Sequence, residues 1–171
     1  FETRYQACQQ AIVHMSKTLA DAKPDVCIIL GDDQHEAFND GNMPSIAIYH
    51  GDTVIDAPRA AGAFAVRDPK IDESPTEPMH RPTDAGLGEY LLEALTAAEF
   101  DIARANEFSP EHNNGPIGHA FYYIYRRLMH NDVIANVPLL VNTYYPPNSP
   151  TANRCYKLGL ALREAVMAWD T

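Results

Sequence analysis

An apolar run that ends in five polar residues constrains the fold of this chain more than any other feature. Residues 26–30 are apolar and largely β-preferring, Gly31 follows, and residues 32–36 bring two aspartates, a glutamine, a histidine and a glutamate. An apolar run of this length, bounded by turn residues, is typical of a fully buried strand in a parallel sheet. Because open α/β sheets bind ligands outside the carboxyl ends of such strands, we expect residues 32–36 to lie where the chemistry occurs.

The rest of the chain alternates between helical and extended patterns. Apolar residues at steps of three and four predict helices over residues 1–22, 83–98, 118–129 and from Pro150 onward. Thr83 and Ser149 are expected as the N-caps of the second and fourth of these helices. Short apolar runs predict further strands at residues 45–49, 100–103 and 137–142. This order predicts an α/β fold with a mainly parallel sheet flanked by helices.

The length of 171 residues fits a single α/β domain with one sizeable core. Residues 56–83 lack periodicity and are rich in proline and charge, so we expect an irregular excursion there and interpret it as a candidate lid. The chain starts at Phe1, without a methionine and inside a predicted helix. We therefore expect it to be an excerpt of a longer protein.

Charge and hydropathy exclude several classes of protein. A formal net charge of -10 argues against a nucleic-acid binder, which normally carries a basic face. No apolar run approaches the roughly 18 residues of a membrane span, and no signal peptide is recognisable. Three widely spaced cysteines are expected to be buried, reduced thiols, which fits a cytoplasmic protein: Cys8, Cys27 and Cys155.

The cluster at residues 32–36 is the strongest candidate for chemistry. Imidazole and carboxylate together suit Fe, Mn or Zn, and two histidines with one carboxylate are typical of non-haem Fe(II) sites. His35 is therefore a candidate metal ligand. The alternative is a polar turn whose aspartates cap backbone amides, with Asp32 as the member most expected to be structural.

Two other groups are candidates for the same site. His119 follows a glycine-bearing loop at the start of a predicted helix, where it suits either acid/base work or capping. Tyr144, Tyr145 and Asn148 follow the strand at 137–142 and suit an aromatic-binding pocket, with plain packing as the alternative.

Several further positions have weaker signals. His50 ends the predicted strand 45–49, which places it as a candidate for the same crevice. Arg126 and Arg127 suit either a substrate carboxylate or a solvated helix face. His112 and His130 are expected at the surface.

Familiar catalytic signatures are missing from the sequence. It contains no G-x-G-x-x-G, no Walker A loop, no G-x-S-x-G, no H-E-x-x-H and no C-x-x-C. Nucleotide binding, serine hydrolysis and zincin-type proteolysis therefore lose support.

Three segments together resemble the LigB-type class III extradiol ring-cleavage dioxygenases. They are PDVCIILGDDQHEAF followed by NMP, within residues 24–44; GPIGHAF at 115–121; and NTYYPPNSPT followed by RCYKLG, within 142–159. The last is the most distinctive, and the resemblance extends over most of the chain except residues 56–83.

This resemblance implies a LigB-like catalytic subunit that binds Fe(II) through two histidines and one glutamate and opens a catechol ring with O2. It assigns His35 to the iron and His119 to acid/base work, with the other two iron ligands outside this chain. The implied contacts to a dihydroxybenzoate-like substrate are Gln34, Glu36, Tyr144, Tyr145 and Asn148. A homo-oligomer or a small second subunit is the expected assembly.

Two alternatives remain open. Counted back from Phe38, the family's histidine position falls on Gln34, which favours an iron-free binding protein on the same fold. The run Gly31 to Glu36 also loosely matches metal-dependent phosphoesterases, although these usually have asparagine directly before the histidine.

Overall fold

The structure, a computed structural model, describes residues 1–58, 75–108, 115–130 and 132–169. Four helices lie within these residues: α1 Glu2–Ala22, α2 Ala85–Ala97, α3 His119–Arg127 and α4 Ala152–Ala168. The strands described are β1 Cys27–Asp32, β2 Ile46–Tyr49, β3 Thr53–Asp56, β4 Met79–Pro82, β5 Ala103–Ala105 and β6 Asn136–Val141. No helix in these ranges is long and apolar enough to cross a membrane.

Four of the described strands form the main sheet, in the order β1-β6-β2-β5. β1 runs parallel to β6, β2 runs parallel to β5, and only the central pair of β2 and β6 is antiparallel. β3 and β4 form a separate antiparallel ribbon. The prediction of an α/β fold with a mainly parallel sheet is therefore confirmed.

Helices flank the main sheet, and a separate apolar core lies against each face. One core joins Phe121 and Tyr125 of α3 to Tyr49 and Leu140 of the sheet. The other joins Leu87 and Leu91 of α2 and Leu158 of α4 to residues on the opposite face of the sheet. These strand residues are Ile48 of β2 and Leu139 of β6. Side chains of successive strand residues point to opposite faces, so one strand contributes to both cores.

β1 is less buried than its sequence predicts. Ile29 is its only buried residue, and Leu30 is 55 % exposed. The expectation of a fully buried strand was wrong because β1 lies at the edge of the described sheet, with β6 on one side only. Apolar composition alone does not distinguish a central strand from such an edge.

The excursion predicted at residues 56–83 is partly regular. Its last residues form β4, which pairs with β3, so the expectation of irregular chain up to Thr83 was wrong there. The buried Asp56 carboxylate accepts a hydrogen bond of 2.8 Å from Arg81 Nη2 of β4 and another from Arg126 of α3. This cluster ties the ribbon to α3 through charge, which an apolar pattern does not reveal. The middle of the excursion, residues 59–74, lies outside the described residues.

Two helix starts are shifted from their predicted positions. Asp84, not Thr83, caps α2 by accepting from Leu87 N at 2.9 Å. Thr151, not Ser149, caps α4 by accepting from Arg154 N. The strand predicted at residues 100–103 begins only at Ala103, since Phe100 turns into the core beside α2. Helix and strand ends are the least determined part of such patterns.

The cysteines are free thiols, but their predicted burial holds only in part. Cys27 is half-buried, and burial raises the pKa of its thiol. Cys8 and Cys155 are exposed, so the prediction was wrong for both. The buried positions of their helices are Ser16 in α1 and Leu158 and Ala165 in α4.

Replacing Gly31 tests how closely α3 packs on β1. A Cβ at this position would lie 2.8 Å from Phe121 Cζ and 2.9 Å from Ala120 Cβ. We expect Gly31→Ala to lower the free energy of unfolding by about 1–3 kcal/mol, as overpacking does in cores. Urea denaturation measures this change.

Gly159→Ala is the matched control for that substitution. Gly159 lies inside α4, and a Cβ at this position would have no neighbouring atom within 4 Å. Alanine there should leave stability unchanged or raise it by up to about 1 kcal/mol. Equal stability of Gly31→Ala and the unsubstituted protein would contradict the packing described for β1 and α3.

Candidate active site

The carboxyl ends of β1 and β6 meet at one edge of the main sheet. The two strands are parallel, and Asp32 pairs with Val141, so the segments that follow them leave side by side. The segment before β2 reaches the same edge, because Ile46 also pairs with Val141. Asn148 Nδ2 joins these segments by donating to Met43 O at 3.0 Å. Residues 32–36 and 144–148 therefore lie side by side at this edge.

Asp33 organises the turn that leaves β1. Its carboxylate is 2 % exposed and accepts from Ala37 N at 2.8 Å and Phe38 N at 3.2 Å. Burial raises the pKa of Asp33, and the negative charge of Glu36 adds to that rise. Asp33 rather than Asp32 therefore caps the backbone amides of this turn, while Asp32 is half-buried and its carboxylate accepts from Gln34 Nε2 at 3.2 Å.

Glu36 holds His119 by two contacts. Its Oε1 accepts from the backbone N–H of His119 at 2.9 Å, and its Oε2 lies 2.7 Å from His119 Nδ1. Gly118 leaves room for this carboxylate, because a Cβ there would lie 2.6 Å from Glu36 Oε2. A carboxylate beside Nδ1 favours the tautomer protonated at that atom. In that neutral form, Nε2 is the ring atom that accepts a proton.

His35 packs against the other loop of this edge. Its ring stacks on the ring of Tyr145, with centroids 3.9 Å apart and planes 13° apart. Its Nε2 lies 3.1 Å from Asp40 Oδ1. The backbone of His35 has a φ of 59°, a left-handed conformation that is uncommon outside glycine and sets the direction of the side chain.

The tyrosines at this edge differ in their surroundings. Tyr144 is 60 % exposed and lines an open cavity of about 360 Å³, whose other lining residues are Leu30, Gly31, Asp32, Ala120, Val141 and Thr143. The pKa of Tyr145 is raised, first by desolvation and then by the negative charges of Asp33, Asp40 and Glu36. The open cavity and the His35 side chain, which is 34 % exposed, are both accessible at this edge.

Three of the weaker candidates lie elsewhere. His50 follows β2, which is antiparallel to β6, so His50 lies at the opposite end of the strands from residues 32–36. The prediction that it lines this crevice was therefore wrong. Arg126 is buried and donates to Asp56 and to Ala57 O at 2.9 Å, so it does not lie on a solvated face. Arg127 donates to Gln9 Oε1 at 2.6 Å. Neither arginine reaches the β1–β6 edge through these contacts.

The two surface histidines have different outcomes. His130 is exposed, as expected. His112 lies outside the described residues.

The sequence did not single out Asp40 or the role of Asn142. Asp40 is five residues beyond His35 and meets it only because the backbone turns back. Asn142 is buried at the end of β6, and its side chain bonds with the segment that follows. An asparagine directly after a buried apolar strand was the one signal available for that role.

The donor set at this edge falls short of the Fe(II) site that the resemblance implies. A site of two histidines and one carboxylate needs three protein ligands. Within the described ranges, no group of three His, Cys, Asp or Glu side chains is close enough to hold a metal ion. His35 Nε2 and Asp40 Oδ1 supply one imidazole and one carboxylate, while the Glu36 carboxylate is bonded to His119. These residues do not by themselves complete the implied site.

Comparison with known proteins adds no family assignment. A scan against models of protein families finds none that matches this chain. A search of curated proteins finds no significant match. The resemblance to LigB-type dioxygenases therefore rests on the motifs within residues 24–44, 115–121 and 142–159.

The buried carboxyl of Asp33 predicts a specific pH dependence of stability. Its pKa is raised in the folded protein above the value of about 3.9 expected when unfolded, so the folded state binds the proton more tightly between those values. Stability from this group is complete below about pH 3.9 and falls as the pH rises through its folded pKa.

Asp33→Asn removes that titration. We expect the free energy of unfolding of the unsubstituted protein, relative to that of Asp33→Asn, to decrease between about pH 4 and pH 7. Urea denaturation of both proteins across this range measures the difference. A difference that stays constant or increases with pH would contradict the desolvation assigned to Asp33.

Proposed function

We propose that this chain carries the acid/base part of an extradiol ring-cleavage site that acts on a catecholic, dihydroxybenzoate-like aromatic with O2 and non-haem Fe(II). The observation that carries the proposal is the double contact of Glu36 with His119 at the β1–β6 edge. It joins two of the three motifs that resemble the LigB-type enzymes. The third motif supplies Tyr145, which lies beside His35 at the same edge.

His119 is the proposed acid/base residue. With Nδ1 directed to Glu36, the neutral ring accepts a proton from a catechol hydroxyl at Nε2 and later returns it. The Glu36 carboxylate stabilises the imidazolium formed in between, because the two groups are 2.7 Å apart. We therefore assign Glu36 to orienting His119, in place of the direct substrate contact that the sequence implied.

The remaining substrate contacts fall into two groups. Tyr144 lines the cavity of about 360 Å³, and Gln34 donates to the carboxylate of Asp32, which lines the same cavity. This volume lies within the roughly 300–1,000 Å³ typical of small-molecule sites. Tyr145 presents its aromatic ring at the same edge, stacked on His35. Asn148 accepts from Asn142 and donates to Met43 O, so both polar atoms of its amide are already bonded within the loop. We propose Gln34, Tyr144 and Tyr145 as the groups that contact substrate.

Fe(II), if bound, would act as a Lewis acid toward the catechol and O2. We propose His35 as one of its ligands. The described residues contribute the shape of the edge, the orientation of His119 and the acidic surroundings of His35.

Replacement of His119 tests the acid/base assignment. Loss of a positioned general acid/base typically slows a reaction by about 10²–10⁴-fold, so we expect His119→Ala to lower kcat within this range. Glu36→Gln keeps a hydrogen-bonding side chain but removes its charge, and it should cost less. Oxygen consumption by the full-length protein with a panel of catechols, after anaerobic loading with Fe(II), measures both effects.

His130→Ala is the control, because His130 is exposed and outside the site. It should leave turnover unchanged. The proposal fails if the unsubstituted protein consumes no oxygen with any catechol, and the role of His119 fails if His119→Ala turns over at the unsubstituted rate.

A second candidate is an iron-free binding protein on the same fold. The observation that favours it is the packing of His35, whose ring lies against Tyr145 and whose Nε2 lies 3.1 Å from Asp40. Such contacts stabilise a histidine without a metal. In this case the cavity would bind a small aromatic molecule without converting it.

Metal analysis after anaerobic purification separates the two candidates. For the dioxygenase we expect the full-length protein to hold stoichiometric iron that is lost in His35→Ala and kept in His14→Ala, whose histidine is exposed on α1. For the binding protein, neither the unsubstituted protein nor the variants would hold iron. Iron retained in His35→Ala would contradict the assignment of this ligand.

A further inference from the structure

Asn142 is bonded at every polar atom of its side chain. Its Nδ2 donates to Tyr145 O at 2.7 Å and to Asn148 Oδ1 at 3.0 Å. Its Oδ1 accepts from Tyr145 N at 2.8 Å and from Tyr144 N at 3.3 Å. Because N–H groups lie on one side of the amide and a carbonyl on the other, only one orientation of the amide satisfies both.

These contacts fix the backbone of Tyr145 at both its N–H and its C=O group. The same amide binds the backbone N–H and the backbone C=O of Tyr145, and so restricts the backbone that directs its ring. Asn142 is itself fixed, since it is 2 % exposed and its backbone N–H donates to Ser45 O at 2.9 Å. The position of the Tyr145 ring thus derives from the end of β6.

The ring of Tyr145 in turn defines the place of His35. The near-parallel stack, with centroids 3.9 Å apart, covers one face of the imidazole, and Asp40 lies 3.1 Å from its Nε2. A line of direct contacts therefore runs from Asn142 through Tyr145 to His35. Stacking of two aromatic rings is by itself a weak interaction, so the stack needs a fixed backbone to persist.

We propose that Asn142 is a positioning residue of the candidate active site: it fixes the Tyr145 ring, and through that ring it sets the orientation of the His35 imidazole. This inference rests on the proposed function for its catalytic meaning, because His35 is the proposed iron ligand. Its structural content, the coupling of Asn142 to His35, can be tested without turnover.

Asn136 provides a matched control on the same strand. It is also a buried asparagine, 0 % exposed, with its side chain bonded to Pro82 O at 2.7 Å and Tyr125 Oη at 2.9 Å. It lies at the opposite end of β6, paired with Cys27, the first residue of β1. Asn136→Ala therefore removes comparable hydrogen bonds far from the stack.

The test is NMR of the histidine ring protons in the full chain at fixed pH. The His35 signals are identified by their loss in His35→Ala. Stacking on Tyr145 should shift them upfield and give nuclear Overhauser contacts between the two rings. Tyr145→Phe should keep both signatures, since the ring remains, and Tyr145→Ala should abolish both.

We expect Asn142→Ala to lose the inter-ring contacts and most of the upfield shift, as Tyr145→Ala does, while Asn136→Ala keeps both. The proposal is overturned if Asn142→Ala keeps the signatures, or if Asn136→Ala loses them equally. Should the alanine variants fail to fold, Asn142→Asp is compared with Asn136→Asp. The aspartate at 142 lacks the donor to Tyr145 O, so only this variant should weaken the inter-ring contacts.

Measurement of kcat tests the same positioning role separately. Asn142→Ala should lower kcat for ring cleavage, and the double variant with Tyr145→Ala should lose little more than either single one, because both act through the same ring. Additive losses would contradict the shared route. If no catechol is turned over by the unsubstituted protein, the proposed function fails, while the NMR result still decides the positioning role.

Discussion

The parallel pairing of β1 with β6 is the constraint on which the candidate site depends. Its backbone hydrogen bonds fix Asp32 beside Val141, and the two segments that carry the motifs leave the sheet from these neighbouring positions. A shift of this register would separate His35 from Tyr145 and move side chains to the other face. α3 then closes over the end of β1, where Gly31 permits the approach of Phe121. The site is thus built on regular structure rather than on loops alone.

Acidic side chains have three different roles at this edge. Asp33 is buried and serves the backbone of its own turn, Glu36 reaches across to His119, and Asp40 meets His35 near the surface. Their combined negative charge also raises the pKa of Tyr145, behind the effect of its desolvation. Residue type alone does not distinguish these roles, because the direction of each carboxylate depends on how the backbone turns after β1.

Sequence reasoning was most successful where a pattern acts locally. Apolar spacing predicted the helices, and the apolar runs predicted β1, β2 and β6, since burial on one face imposes a period. It was wrong for His50, because no local pattern states that β2 runs antiparallel to β6. It was also wrong for Cys8 and Cys155, because a helix with few packing partners leaves apolar positions exposed. The caps of α2 and α4 were displaced by one and two residues, since several residues there suit the same role.

The sequence by itself determined the α/β class, the main strands and helices, and the polar segments that follow β1 and β6, because these depend on the order and period of apolar residues. Only the tertiary structure decided which polar groups meet: Glu36 with His119, His35 with Tyr145, and Asn142 with the backbone of Tyr145. Glu36 and His119 are 83 residues apart in the chain. Contacts at such separations depend on strand order and direction, which arise when the whole sheet packs between its helices.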